Sequence, residues 1–195
     1  MAKSKAKKVK TKYLGKGVLL EMNEARIEIY AYRKLIWDKF KIDLLVNDTM
    51  SGLQLHEIVS NYDPDFNINL ARNGEDGCSN GVSIEQKTND IVKDKNDASF
   101  AFHALGDILH DRYILVVRKK DDLKIIRLFD ISEPENVQIV QKELQRLSDD
   151  WRAKGPRKYD IIRLTEVFLR QNLKFNDTVM IGDCAIIKDT LNTSL

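Results

Sequence analysis

The chain has 195 residues, and its 32 lysines and arginines nearly cancel its 30 aspartates and glutamates, leaving a formal net charge of +2. That balance excludes a histone-like polycation, while the 43% apolar content suffices for a packed core of moderate size. Two cysteines, Cys78 and Cys184, are too few for a disulfide framework or a common structural zinc site, and no run of about 18 apolar residues suits a membrane span, so a cytoplasmic protein is expected.

Residues 1–12 form a lysine-rich arm with little to bury, expected to be flexible. Residues 13–195 read as a single domain. Leu19, Met22, Ile29, Leu35, Ile36 and Phe40 recur near helical spacing between Val18 and Ile42. A shorter helix is expected from Thr49 to Val59. Phe66, Ile68 and Leu70 alternate with polar residues, the pattern of a half-buried strand.

That strand leads into a hairpin. Asn80-Gly81 is a strong two-residue turn signal, because a type I′ turn needs positive φ at both positions. Counting outward, Ser79 faces Val82, Cys78 faces Ser83, Gly77 faces Ile84 and Asp76 faces Glu85. Directly opposed residues share a sheet face, with Cβ atoms about 5 Å apart. Lys87, two residues beyond Glu85, joins the same face, whereas Val82 and Ile84 point toward a core. Like charges opposed across a ladder repel, and a hard divalent cation removes that penalty.

The polar segment Thr88 to Asn96 is expected to be a loop. Asp97 is placed to cap a helix carrying Ala98, Ala101, Phe102, Leu105, Ile108 and Leu109 on one face. Tyr113 to Val117 reads as a buried strand, extending to Arg118, and Leu123 to Phe129 as another. Ser132 and Glu135 form a capping box, with Pro134 early in a helix that runs to about Trp151. Asp160 to Leu164 and Val179 to Ile187 are strand-like, with a helical piece from Thr165 to Gln171. The fold class is therefore α/β, a mixed central sheet flanked by helices.

The spacing from Asp76 to Glu85-Gln86-Lys87 resembles the PD-(D/E)xK nuclease superfamily, and the local run from Gly74 is most similar to type II restriction endonucleases of the PvuII-like branch. The resemblance implies a restriction-endonuclease-like core, a Mg²⁺-dependent hydrolysis of double-stranded DNA at a specific short sequence, and a homodimer matched to a palindromic site. Asp76, Glu85 and Lys87 are the catalytic candidates. Asp76, Glu85 and the Gln86 backbone carbonyl are the ligands for one or two Mg²⁺ ions, and Glu75 is a flanking group. Asp65, in the literal Pro64-Asp65 pair, is the rival acidic partner.

Thr88, Asn89, Lys93 and Lys95 are the DNA-contact candidates beyond the site, together with the N-terminal lysines. His56, His103 and His110 are too scattered for an HNH or zinc-protease site and read as surface or interface histidines. No phosphate-binding P-loop is present, so no nucleotide cofactor is expected, and no membrane partner either. The alternatives are a repair, resolving or nicking nuclease of the same superfamily, or a non-catalytic DNA-binding module with a nuclease-like sheet.

Overall fold

A computed structural model describes residues 16–41, 47–69, 76–93, 97–104, 109–121, 123–155 and 159–190. The lysine-rich arm therefore lies outside the described residues. The chain divides into two compact units, Met1–Thr49 and Met50–Leu195. The first carries helix α1 (Lys16–Phe40), on which Lys34 and Asp38 pair at 2.7 Å one turn apart. Helix α2 (Asn47–Val59) begins at the boundary between the units.

The second unit is built on a mixed seven-stranded sheet. Its strands are β1 (Asn67–Ile68), β2 (Gly77–Ser79), β3 (Val82–Ile91), β5 (Arg112–Lys119), β6 (Ile125–Ile131), β8 (Asp177–Ile181) and β9 (Cys184–Lys188). Their spatial order is β1-β2-β3-β5-β6-β9-β8. The β3–β5 and β6–β9 pairs are parallel, and the remaining pairs are antiparallel. A separate two-stranded sheet joins β4 (Ser99–His103) to β7 (Ile161–Thr165). Helices α3 (Pro134–Ala153) and α4 (Glu166–Asn172) complete the described elements.

Strand β5 explains why two cores exist. Every residue from Arg112 to Arg118 is buried, as expected for a central strand covered on both faces. Tyr113, Leu115 and Val117 pack with Phe100, Phe102, Phe129, Val137 and Leu144, the side of α3, α4 and the small sheet. Ile114 and Val116 pack with Leu55, Val59, Phe66, Ile84, Leu128 and Ile186, the side of α2. Burying each such aliphatic side chain contributes roughly 1.5–3 kcal/mol. The alternation fixes register, because a one-residue slip would exchange the two cores.

Two expected elements are corrected. Thr88 to Ile91 is not a loop but the second half of β3, paired with Val116 to Lys119 of β5. Parallel pairing and the bond from Arg118 Nε to Asp90 Oδ1 (2.7 Å) hold this polar stretch extended. The segment after Asp97 is not a helix but β4. Ala98, Phe100, Phe102 and Ala104 are buried at a period of two, and the strand pairs with β7 from Ser99↔Thr165 to His103↔Ile161. Leu109, assigned to the helix's apolar face, is exposed, while Leu105 and Ile108 lie outside the described residues.

The Ser132–Glu135 capping box is also replaced. The N-cap of α3 is Glu133, with no side-chain cap bond. The fully buried Asp189 does that work from beyond β9, accepting from the amides of Ser132 (2.9 Å) and Glu133 (3.0 Å) and from Asn136 Nδ2 (3.2 Å). A carboxylate at a helix N-terminus satisfies donors that have no intrahelical partner and suits the helix dipole. Thr165, expected as the first residue of a helical piece, is the N-cap of α4 and accepts from the Phe168 amide at 3.2 Å. Among the described residues no helix is long and apolar enough to cross a membrane.

Candidate active site

The hairpin forms in the register counted from Asn80-Gly81. Both turn residues have positive φ, 51° and 80°, and the ladder pairs Ser79↔Val82, Cys78↔Ser83 and Gly77↔Ile84. Gly77 is required by close packing: a Cβ there would stand 2.8 Å from the Asn67 carbonyl oxygen. Ile84 is buried as expected, whereas Val82, expected in the core, is exposed at the hairpin tip.

Asp76 lies just outside the ladder and is tied to the opposite strand, its Oδ2 accepting from the Gln86 amide at 2.9 Å. The same oxygen is 3.5 Å from Lys87 Nζ. Lys87 Nζ also pairs with Glu85 Oε1. Asp76, Glu85 and Lys87 are therefore brought together on the β4 side of the sheet, where the ammonium lies 5.5 Å from the centre of the Phe102 ring. The three side chains are 39%, 14% and 24% exposed, so the cluster has an open edge at Asp76 and a shielded centre at Glu85.

Glu85 is the strained member. Burial is the dominant influence and raises its carboxyl above the ordinary range, with Asp76 acting in the same direction. Lys87 and His110 pull it down without offsetting the burial. A buried carboxylate in that condition gains from any added positive charge nearby.

His110 completes the cluster and was not found from the sequence. Its Nε2 lies 3.2 Å from Glu85 Oε2, on a side chain only 10% exposed. The missing signal was the parallel β3–β5 register, which sets Glu85 beside Tyr113, three residues past His110. The surface-histidine reading holds for His103, which sits on β4 with Nδ1 3.3 Å from Asp160 Oδ2, and not for His110.

The remaining candidates are dispersed. Asp65 accepts from Asn80 Nδ2 at 2.9 Å, at the hairpin tip, and has no described bond to Glu85 or Lys87. The Gln86 side chain donates to Thr88 Oγ1 (3.4 Å), and the alternation of β3 places both on the sheet face opposite Glu85. Asn89 Oδ1 accepts from the Ser99 amide at 3.2 Å, which ties β3 to β4. Lys93 is exposed just past β3; Lys95 and Glu75 lie outside the described residues.

Among the described residues, no group of three or more His, Cys, Asp or Glu side chains is placed to hold a metal ion. Mg²⁺ needs fewer, because it keeps several waters and is held through one or two carboxylates plus substrate phosphate. Asp76 and Glu85 converge on one positive charge, the Lys87 ammonium, and both are oxygen donors of the kind Mg²⁺ takes. The donor set thus fits the ion. Comparison with known proteins returns no matching family model, no similar curated protein and no similar solved structure.

Proposed function

We propose that the protein is a Mg²⁺-dependent endonuclease of double-stranded DNA with a restriction-endonuclease-like core, acting as a homodimer at a short specific sequence in the manner of type II restriction enzymes. The observation that carries this reading is the meeting of Asp76, Glu85 and Lys87 on one face of a sheet hairpin, with Glu85 half-buried and its carboxyl raised. The mixed sheet with helices on both faces supports it, since it sets the hairpin beside a buried parallel strand.

Asp76 and Glu85 would hold the divalent cation. When bound, such an ion supplies positive charge for the phosphate and makes water a better nucleophile. Lys87 would orient the attacking water and stabilise charge on the phosphorane oxygens. The water oxygen forms a bond to phosphorus and gives up one proton to solvent, the bond from phosphorus to the 3′ oxygen breaks in line, and the 3′ oxygen takes up a proton from solvent. Phe102 beneath the ammonium limits where Lys87 can move.

The test is digestion of unmethylated phage or plasmid DNA with Mg²⁺ or EDTA, beside Lys87→Ala. Discrete Mg²⁺-dependent fragments that vanish in the variant are the expected result. Structure-dependent nicks would instead indicate a repair or resolving enzyme. DNA left intact by a protein that still shifts it in a gel would turn the reading toward a non-catalytic module.

A further inference from the structure

His110 is nearly buried, is fixed on three sides and belongs to no expected motif. Its backbone carbonyl accepts from Gln141 Nε2 of α3 at 3.0 Å. Its ring meets Tyr113 edge-on, with centroids 6.1 Å apart at 81°. Tyr113 in turn meets Phe102 at 6.3 Å and 65°, and Phe102 carries the Lys87 ammonium. One aromatic pair therefore supports both groups that touch Glu85.

The two oxygens of Glu85 are divided between them: Oε1 pairs with Lys87 and Oε2 lies 3.2 Å from His110 Nε2. A carboxylate with one oxygen against a rigid polar neighbour cannot rotate freely about its terminal torsion. Its other oxygen is then fixed toward Asp76 and the open edge of the cluster. We propose that His110 is the positioning residue of this site: it anchors Glu85 Oε2 so that Oε1 is presented, with Asp76, to a divalent cation. The inference rests on the endonuclease reading of the same cluster. Partners of this kind, which orient a ligand without touching the ion, typically change metal affinity about 10–100-fold when removed.

The geometry supplies a discriminating pair of variants. In His110→Gln the amide nitrogen reaches the position of Nε2, whereas in His110→Asn it stops near that of Nδ1. Mn²⁺ binding is measured by calorimetry on the full chain, with Asp76→Ala as the control for the site and thermal melting as the control for folding. His110→Asn is expected to weaken Mn²⁺ about tenfold or more, while His110→Gln stays close to wild type. In cleavage assays, the Mg²⁺ needed for half-maximal rate should rise for His110→Asn, with the rate at saturating Mg²⁺ largely restored.

Unchanged Mn²⁺ affinity in folded His110→Asn overturns the inference alone. So does an equal loss in both variants, because a polar nitrogen at the Nε2 position would then not be the cause. Should His110→Asn fail to fold, His110→Gln carries the test: a folded protein that has lost Mn²⁺ affinity overturns the proposal, and retained affinity upholds it. A wild-type protein with no Mn²⁺ site that Asp76→Ala removes overturns the endonuclease reading, and the role of His110 with it.

Discussion

Two charged clusters lie on opposite faces of the same sheet, and they are built on opposite principles. On the α2 side, Arg112 makes a two-pronged contact with Asp130, Nε to Oδ1 at 2.8 Å and Nη2 to Oδ2 at 2.7 Å. A third bond runs from its Nη1 to Asp63 Oδ2 at 2.5 Å. Tyr62 donates to Asp130 Oδ2 at 2.8 Å, and Ser79 to Asp63 Oδ1 at 2.9 Å. The guanidinium directs three bonds at the two carboxylates, each of which also accepts from a hydroxyl, and the group is closed. On the β4 side, Asp76, Glu85, Lys87 and His110 set two carboxylates around a single ammonium. Burial there raises Glu85, and Asp76 stays partly open. Closed, geometrically complete networks hold strands in place. A strained, half-open set of the same residue types is what a reactive site requires.

Substitutions on the two faces should separate these roles. Lys87→Ala is expected to reduce cleavage about 10³-fold, equivalent to ~4 kcal/mol of lost transition-state stabilisation. Its melting temperature should stay near wild type, because Glu85 keeps its polar contact with His110 and is only half-buried. A large drop in melting temperature would place Lys87 in a structural network instead. Asp130→Ala should do the reverse. Removing Asp130 strips buried Arg112 of two of its three described bonds and Tyr62 of its acceptor, and costs about 3 kcal/mol or more. Urea unfolding of the two variants, with cleavage at a temperature where both are folded, checks the contrast.

The two cysteines give an independent reading of the same difference. Cys78 is exposed on β2, across from Ser83 and two residues from Asp76, whereas Cys184 is buried in the α2-side core and its thiol is pushed up to about 11. A maleimide should therefore label native protein at Cys78 within minutes and reach Cys184 only through opening of the sheet. A loss of about 3 kcal/mol in Asp130→Ala should raise the Cys184 labelling rate roughly 10²-fold, since it raises the open population by that factor. Lys87→Ala should leave that rate within a few-fold of wild type. Equal rates in the two variants would remove the distinction between a structural and a reactive face.

How much of this was legible in the chain follows from the range of the interactions involved. The hairpin was readable because Asn80 and Gly81 determine its turn, and the turn sets the register of Asp76 against Glu85-Gln86-Lys87. Strand β5 was readable as a continuous apolar run, β6 from Ile125, Ile126 and Leu128, and α3 from Pro134 at its start. Strand β4 was not, because Ala98, Phe100, Phe102 and Ala104 at period two overlap an equally good helical set in one short apolar segment. His110 and Asp189 were invisible for a related reason. One joins the site through a parallel pairing between strands far apart in sequence, the other caps a helix more than fifty residues before it. Neither leaves a local pattern.

The smallest expected effect concerns a third cluster, on the β4 side but away from the hairpin. Glu166 is buried at the start of α4, and burial by itself would raise its carboxyl. The bonds from Arg127, the Ala98 amide and Arg170 outweigh burial and hold it below the ordinary glutamate range. The folded protein therefore binds this proton less readily than the unfolded chain. The stabilisation is present in full above the unfolded value and is lost as pH falls through the lower folded value. Glu166→Gln should be less stable than wild type at neutral pH, with the gap in melting temperature narrowing as the solution is acidified below the glutamate range. At the Asp76–Glu85 cluster the sign is opposite, because burial there outweighs the cations and ionisation of Glu85 costs stability. A gap for Glu166→Gln that widens in acid would mean that Arg127 and Arg170 do not offset the burial of Glu166, and the cluster would then belong with the strained face rather than the closed one.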